Sequence, residues 1–356
     1  MRSTPLRAVA AAAVLSMGCS SIVEYEDNGW SSVTANLSGL ASECGNMSFV
    51  SARPDRDSLT AGVALRGLWS AASATAAWSP AGTGSGSAVI INRPSSIVYD
   101  PDHPSTWWES GIYNGAGVYR TDDDGATFIQ LGSAAHLDLV SVDLSDPARR
   151  TLLAGGHESG QKLLQSLDGG NTWVDLGPHL PATAGDTAWP LVQDAQTYLV
   201  GSNNGTSSGV FRSIDGGTNW TMVYKGAVRA RPLVGSDLSL YWILDRDAGM
   251  IRSTDHGANW TAVAGPGTLS TTSGPSLVEL PDGRLAAPGG GFVLISGDHG
   301  SNWGRSGSPL PYSPVGMVYS RFRKAFYVWR FDCSPAASQP VSQDAIMSLS
   351  FDWQAK

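Results

Sequence analysis

Apolar and polar residues alternate along most of this chain in runs of about four to eight, each closed by Gly, Pro, Asn or Asp. Residues 96–131 show the pattern in full. "SIVYD" alternates and is β-branched, "PDHPS" turns, and "TWWESGIY" is a second strand. "NGAG" is a tight turn, "GVYRT" a third strand, and "DDDGA" turns again into "TFIQL". The pattern predicts a four-stranded antiparallel meander, because side chains that point alternately to two faces can cover both only at period two.

The turn before the fourth strand recurs. "TDDDGATF" (121–128), "SLDGGNTW" (166–173), "SIDGGTNW" (213–220), "STDHGANW" (253–260) and "SGDHGSNW" (296–303) share Ser/Thr-x-Asp-x-Gly-x-Thr/Asn-aromatic. Their acids are Asp123, Asp168, Asp215, Asp255 and Asp298, spaced 45, 47, 40 and 43 residues apart. A period of this size marks a repeat architecture. A carboxylate in such a turn accepts backbone N–H groups, and the Gly supplies a conformation closed to residues with a Cβ. The five acids therefore read as scaffold. A calcium loop would need further carboxylates and a bidentate Glu that do not follow.

Stretches 47–80, 136–178, 185–223, 226–263, 274–305 and 312–353 fit the same frame, with the turn motif decayed at Ser73 and lost before Trp353. Seven such repeats predict an all-β, seven-bladed propeller over residues 45–356, preceded by an N-terminal segment over 20–44. "WSSVTANL" (30–37) is left over to help close the ring.

Composition agrees: charged residues are 15%, against about 25% in average proteins, and Gly is abundant at 42. The net charge of −8 and the lack of a Lys/Arg cluster argue against a nucleic-acid partner. Residues 1–19 carry Arg2 and Arg7, an apolar run from Ala8 to Met17, and Gly18-Cys19, which reads as an export signal. The run is too short to span a bilayer. An oxidising compartment makes Cys44 and Cys333 candidates for a disulfide that ties first repeat to last; two separate buried thiols are the alternative. No His/Cys/Asp cluster has ligand spacing that proposes a metal, and no cofactor is indicated.

Two resemblances sharpen this reading. "LSMGC" resembles a bacterial lipoprotein box, with Ser16 where that box usually has Leu; it implies lipidation of Cys19, and ordinary cleavage nearby is the alternative. The five turns resemble the BNR/Asp-box repeats of the sialidase-like superfamily, which includes sialidases, xyloglucan-cleaving propellers, sortilin-type receptors and a photosystem assembly factor. In propellers resembling this one, the boxes lie on one face and the working site on the other, built from turns between strands two and three and from links between blades. Those turns here supply Arg66; Arg93, Glu109, Tyr113 and Asn114; His136, Asp138, His157 and Glu158; Trp189 and Asn203; Arg229, Arg231, Asp245, Arg246 and Asp247; and Tyr312, Arg330 and Asp332.

That inventory suits a sugar. Arg forks pair with carboxylates, paired carboxylates hydrolyse glycosidic bonds, and a Tyr/His pair abstracts a proton beside a uronate carboxyl. Glu109, among Trp107, Trp108 and Tyr113, is expected to be partly desolvated with a raised pKa. Glu109, Tyr113, His136 and His157 are the candidate catalytic residues, and Arg93, Trp189, Arg231, Arg246 and Arg330 the candidate substrate contacts. "INRPSSIVYD" (91–100) partly echoes the sialidase motif Tyr/Phe-Arg-Ile/Leu-Pro, without the aliphatic residue between Arg93 and Pro94. "GTSSG" (205–209) matches a nucleophile-elbow string but lies between two strands, where an elbow needs strand-to-helix. The resemblance implies a monomeric, exported or lipid-anchored carbohydrate-active propeller, a glycoside hydrolase or polysaccharide lyase. A non-catalytic propeller that binds a protein or glycan on the same face is the alternative.

Overall fold

The alternating runs form strands, and the strands form blades. The computed structural model describes residues 29–73, 77–82, 86–331 and 338–354. The proposed signal, Cys19 and Cys333 therefore lie outside the described residues. Blade one comprises Met47–Ala52, Leu59–Val63, Gly67–Ala71 and Ser79–Pro80. Blade two comprises Arg93–Tyr99, Trp107–Ile112, Val118–Thr121 and Ile129–Gln130, and blade three Leu137–Val142, Leu152–Gly156, Leu163–Ser166 and Val174–Asp175. Blades four, five and six follow the same antiparallel order over 185–225, 233–264 and 278–306. Blade seven takes Gly316–Ser320, Ala325–Trp329 and Ile346–Ser350 from the end of the chain and its outermost strand, Ser31–Ser32, from the start. The described residues contain no α-helix, only three 3₁₀ turns. The chain is a seven-bladed β-propeller.

Blades stack face to face, so their middle strands are buried on both sides. Every residue of Trp107–Ile112 and of Leu152–Gly156 is buried. Trp108, Trp242 and Trp329 are among the largest side chains fully enclosed between blades. Gly155 shows how close the sheets come, since a Cβ there would run into the Ala188 carbonyl of blade four. Between the outer turns of blades two and three, Arg149 grips Asp100 with two bonds of 2.8 Å, and both side chains are nearly sealed from water.

The ring closes at two seams. Ser31 and Ser32 pair antiparallel with Ser348 and Met347. The chain then caps blade one, where Trp78 Nε1 donates to the Val33 carbonyl and Asn36 exchanges two bonds of 2.8 Å with the Trp78 backbone. The second seam is a short ribbon in which Ala41, Ser42 and Glu43 pair with Pro340, Gln339 and Ser338. Cys44, immediately after it, is disulfide-bonded.

The five recurrent turns share one hydrogen-bond scheme. At Asp215, the Ser213 hydroxyl accepts the Gly217 N–H at 2.9 Å and donates to Oδ1 at 2.8 Å. Asn219 fills both carboxylate oxygens, its backbone N–H on Oδ1 and its side-chain amide on Oδ2. Gly217 has φ +89°, and the Trp220 indole donates to its carbonyl. Asp255 and Asp298 repeat the whole arrangement, while at Asp123 and Asp168 a Thr hydroxyl replaces the Asn amide on Oδ2 and, among the described residues, no indole bonds the Gly carbonyl. The backbone and side-chain N–H groups of Asn219 hold the Asp215 carboxyl down at about 2, and the backbone N–H and hydroxyl of Thr172 do the same for Asp168.

Candidate functional site

In a four-stranded antiparallel blade, successive turns point to opposite faces. The Ser/Thr-x-Asp turns between strands three and four share a face with the turns between strands one and two. The turns between strands two and three, and the links between blades, make the other face. On that second face a cavity of about 340 Å³ opens over the channel. Its wall includes Arg93 and Tyr113 from blade two, Asp138, His157 and Glu158 from blade three, Asp186, Trp189 and Asn203 from blade four, and Arg229 from the link into blade five.

Three of these groups form a chain. The Tyr113 hydroxyl lies 3.1 Å from His157 Nε2, and His157 Nδ1 lies 2.9 Å from Asp138 Oδ1 and 3.0 Å from Oδ2. A carboxylate accepts, so Nδ1 carries the proton and, in the neutral ring, Nε2 accepts from the phenol. Burial works against a charged His157 ring, but the Asp138 hydrogen bond and charge outweigh it and raise its pKa. Burial raises Tyr113 as well, helped by the Glu158 charge and opposed by Arg93. The phenol is therefore protonated at neutral pH.

His136 positions both turns. Its Nδ1 accepts the Tyr113 backbone N–H at 3.0 Å, and its carbonyl accepts the His157 N–H at 3.0 Å. An acceptor nitrogen is unprotonated, and burial, then the neighbouring His157, keep the His136 pKa low. The three rings pack with centroids 5.0 to 5.3 Å apart. Tyr113 and His136 have φ of 62° and 64°, left-handed values that a bulky side chain seldom adopts. Such strain collects where a surrounding structure is built to hold a side chain in place.

Two arginines flank this chain differently. The Arg93 guanidinium sits 4.7 Å from the Tyr113 ring centroid and is paired with Glu43 at 2.6 Å. Arg229 lies over the Trp189 ring at 5.8 Å and makes no ion pair among the described residues. The cavity carboxylates are mostly engaged: Asp138 by His157, and Asp186 by the Gly160 N–H and the Asn204 amide. Glu158 is 75% exposed at the rim, 3.8 Å from His157 Nε2.

The structure thus brings Tyr113, His136, His157, Arg93 and Trp189 to one place and puts the other expected residues elsewhere. Glu109 is fully buried inside blade two and is not part of the cavity wall. Burial raises its pKa well above the ordinary carboxylate range, while its one hydrogen bond, 3.4 Å from Asn92, opposes the shift only weakly. The expected rise is present, but complete enclosure rather than partial desolvation causes it. Arg246 sits on the strand-two-to-three turn of blade five, 85% exposed and 3.8 Å from Asp245, beside a separate depression. Arg330 is tied to Asp344 at 2.6 Å and lies over Tyr312, outside the cavity wall. Arg231 lies deeper, in the channel between the faces. The arrangement gives structural weight to Asp138 and Arg229, which sequence placed on this face without a distinct role, and to Glu43, on which sequence offered no signal because its pairing depends on the second seam.

No sequence-family profile and no curated protein matches this chain. Solved structures match its fold. The GH74 enzyme of Niastella koreensis superposes with TM-score 0.61 at 15% identity, covering 87% of this chain and 55% of its own. The GH74 xyloglucanase from Xanthomonas campestris gives 0.52 at 17% identity, covering 84% and 52%. The extracellular domain of BT4673 from B. thetaiotaomicron gives 0.59 at 11% identity, covering 87% and 38%. The chain spans about half the length of the GH74 enzymes it matches. At these identities the likeness is one of fold.

Proposed function

We propose that this protein is an exported, carbohydrate-active propeller of the Asp-box type that cleaves a uronate-containing glycan by proton abstraction in the cavity opposite the boxes. One observation carries the reading: a protonated phenol, Tyr113, backed by a His157–Asp138 pair and facing a cavity that holds an arginine with no ion-pair partner among the described residues. Arg229 takes the uronate carboxylate, which raises the acidity of the carbon-bound proton beside it. Tyr113 Oη removes that proton while its own passes to His157 Nε2, and Asp138 stabilises the imidazolium. The electron pair left on carbon forms a C=C bond and expels the adjacent glycosidic oxygen, which takes a proton back from the relay. Protons, charge and bonds balance with no outside reagent. Hydrolysis is the weaker branch, because it needs two carboxylates flanking one bond, and Asp138 and Asp186 already have partners. A leader over residues 1–19, lipidation of Cys19, a monomeric ring and an extracytoplasmic location complete the proposal.

The test is a panel of uronate-containing and neutral polysaccharides, following new reducing ends together with the ultraviolet absorbance of unsaturated sugar. Both signals rising on a uronate polymer, and both falling about 100-fold or more in Tyr113→Phe, supports elimination. Reducing ends alone would move the chemistry to the carboxylates. Silence from folded protein that still binds a glycan would make this a binding propeller.

A further inference from the structure

The channel has a second chamber at the box face, formed by blades two to five. Its volume is about 500 Å³, within the range of small-molecule sites. The wall is mostly aliphatic, with Val98, Val142, Leu191 and Leu240 among its residues; Ser141, Ser145, Gln193 and His256 are its polar members besides Arg231, and no acidic side chain lines it among the described residues. Its rim leaves Leu144, Val234 and Leu238 exposed at 36%, 47% and 67%. Adjacent apolar side chains kept in water at a cavity mouth mark a place where something apolar docks.

At the inner end of this chamber stands Arg231. Its Nη1 donates to the Ile97 carbonyl at 3.0 Å and its Nη2 to the Val140 carbonyl at 3.3 Å. A guanidinium has five N–H groups, so three remain without a hydrogen bond among the described residues. It makes no ion pair among the described residues. Asp138 lines the smaller chamber on the other side of Arg231, but its carboxylate is held by His157. Arg231 is half-buried and reaches the chamber without a counter-charge, so a carboxylate entering there would meet an unpaired guanidinium. Burial lowers the Arg231 pKa to about 10, which still leaves it charged at neutral pH.

We infer that this chamber is a second binding site, taking a single apolar chain that ends in a carboxylate, with Arg231 as its anion anchor and the aliphatic wall around the chain. A guanidinium fork matches the two oxygens of a carboxylate. One guanidinium and no lysine suit a monoanion rather than a phosphate dianion. A peptide would bring an amide at every residue, and each buried amide needs partners, of which this mostly aliphatic wall offers few. The ligand class is thus a fatty-acid-like monocarboxylate. The site lies on the opposite face from Tyr113 and does not depend on what that cavity does.

The experiment titrates the full mature chain with dodecanoate, dodecanol, dodecyltrimethylammonium and acetate, read by calorimetry and tryptophan fluorescence. Saturable one-site binding of dodecanoate is expected, with dodecanol about tenfold or more weaker and acetate and the cationic chain silent. Arg231→Met should lose the preference for dodecanoate over dodecanol. Leu144→Asp, at the rim, should weaken dodecanoate while leaving Arg231 in place, and serves if the first variant does not fold. Equal affinity for dodecanoate and dodecanol, no saturable binding, or unchanged dodecanoate affinity in Arg231→Met overturns the site. Tighter binding of a hydrophobic peptide through its free C-terminal carboxylate overturns the choice of ligand.

Discussion

The Tyr113 hydroxyl and His157 Nε2 meet across a blade boundary, 3.1 Å apart, although 44 residues separate them in sequence. Each sits on the tip of a strand-two-to-three turn, one repeat on from the other. The repeat that builds the fold therefore also builds the pair, by putting equivalent turns of adjacent blades side by side.

If that pair moves protons, its members differ in what their loss does. Tyr113→Phe keeps the ring over which Arg93 lies and removes only the hydroxyl. It should lower turnover about 100-fold or more while leaving glycan affinity within about a factor of a few. Asp138→Asn removes the charge that raises His157, so the imidazole titration followed by NMR should move to lower pH. An unchanged midpoint would contradict the pairing.

Glu109 offers a pH signature of its own. Its folded-state pKa is raised, so the folded protein keeps a proton that the unfolded chain releases. Its contribution to stability is full below the unfolded carboxylate value and is lost as pH rises toward the folded one. Glu109→Gln keeps the shape and does not titrate. The two proteins should melt alike near about pH 4, and the variant should melt increasingly higher as pH is raised toward about 8.

Arg149 and Asp100 predict the opposite trend. The guanidinium and two backbone N–H groups overcome the burial of the Asp100 carboxyl and hold its pKa well below the ordinary range. That stabilisation is present above the unfolded value and disappears as pH falls through the folded one. Arg149→Met strands a carboxylate that is 1% exposed and should cost about 3–5 kcal/mol at neutral pH. The gap between variant and parent, measured by urea unfolding, should shrink in acid.

The disulfide at Cys44 should be visible in both mass and melting. Non-reducing peptide mapping is expected to join Cys44 to Cys333 across the ring closure. Reduction should destabilise the protein by about 2–4 kcal/mol, because it frees a very long loop in the unfolded chain. A peptide joining Cys44 to Cys19, or a melting curve indifferent to reductant, would sink this assignment.

The fold was legible because its recurring signal is local. Ser213, Asp215, Gly217 and Asn219 satisfy one another within seven residues, so the turn can be read without knowing what surrounds it. The placement of Tyr113, His136 and His157 on one face followed from counting turns. Glu109 misled because both faces of Trp107–Ile112 are covered. Where every position of a strand is buried, alternation no longer separates a lining residue from a core one. A place in a link between blades points Arg231 to the working face, but the depth of a side chain in a channel depends on the neighbouring blades. The Arg93–Glu43 pair was invisible because it requires Ala41–Glu43 to dock on Ser338–Pro340, nearly 300 residues away.

That docking, with Ser31–Ser32 on the edge of blade seven, has a consequence for the order of assembly. During synthesis the first strand emerges long before its partner, Ile346–Ser350, and until then it has no ladder to join. Six blades can gather by neighbour-to-neighbour contact while Ser31–Ser32 and the Ala325–Trp329 strand of blade seven each lack the ladder partner that Ile346–Ser350 will supply. The clasp closes only when the last strand arrives, and it sets a contact of very long sequence separation as the final step. A nascent chain held at that stage would display two unpaired edges at once, which makes it a natural client for a chaperone.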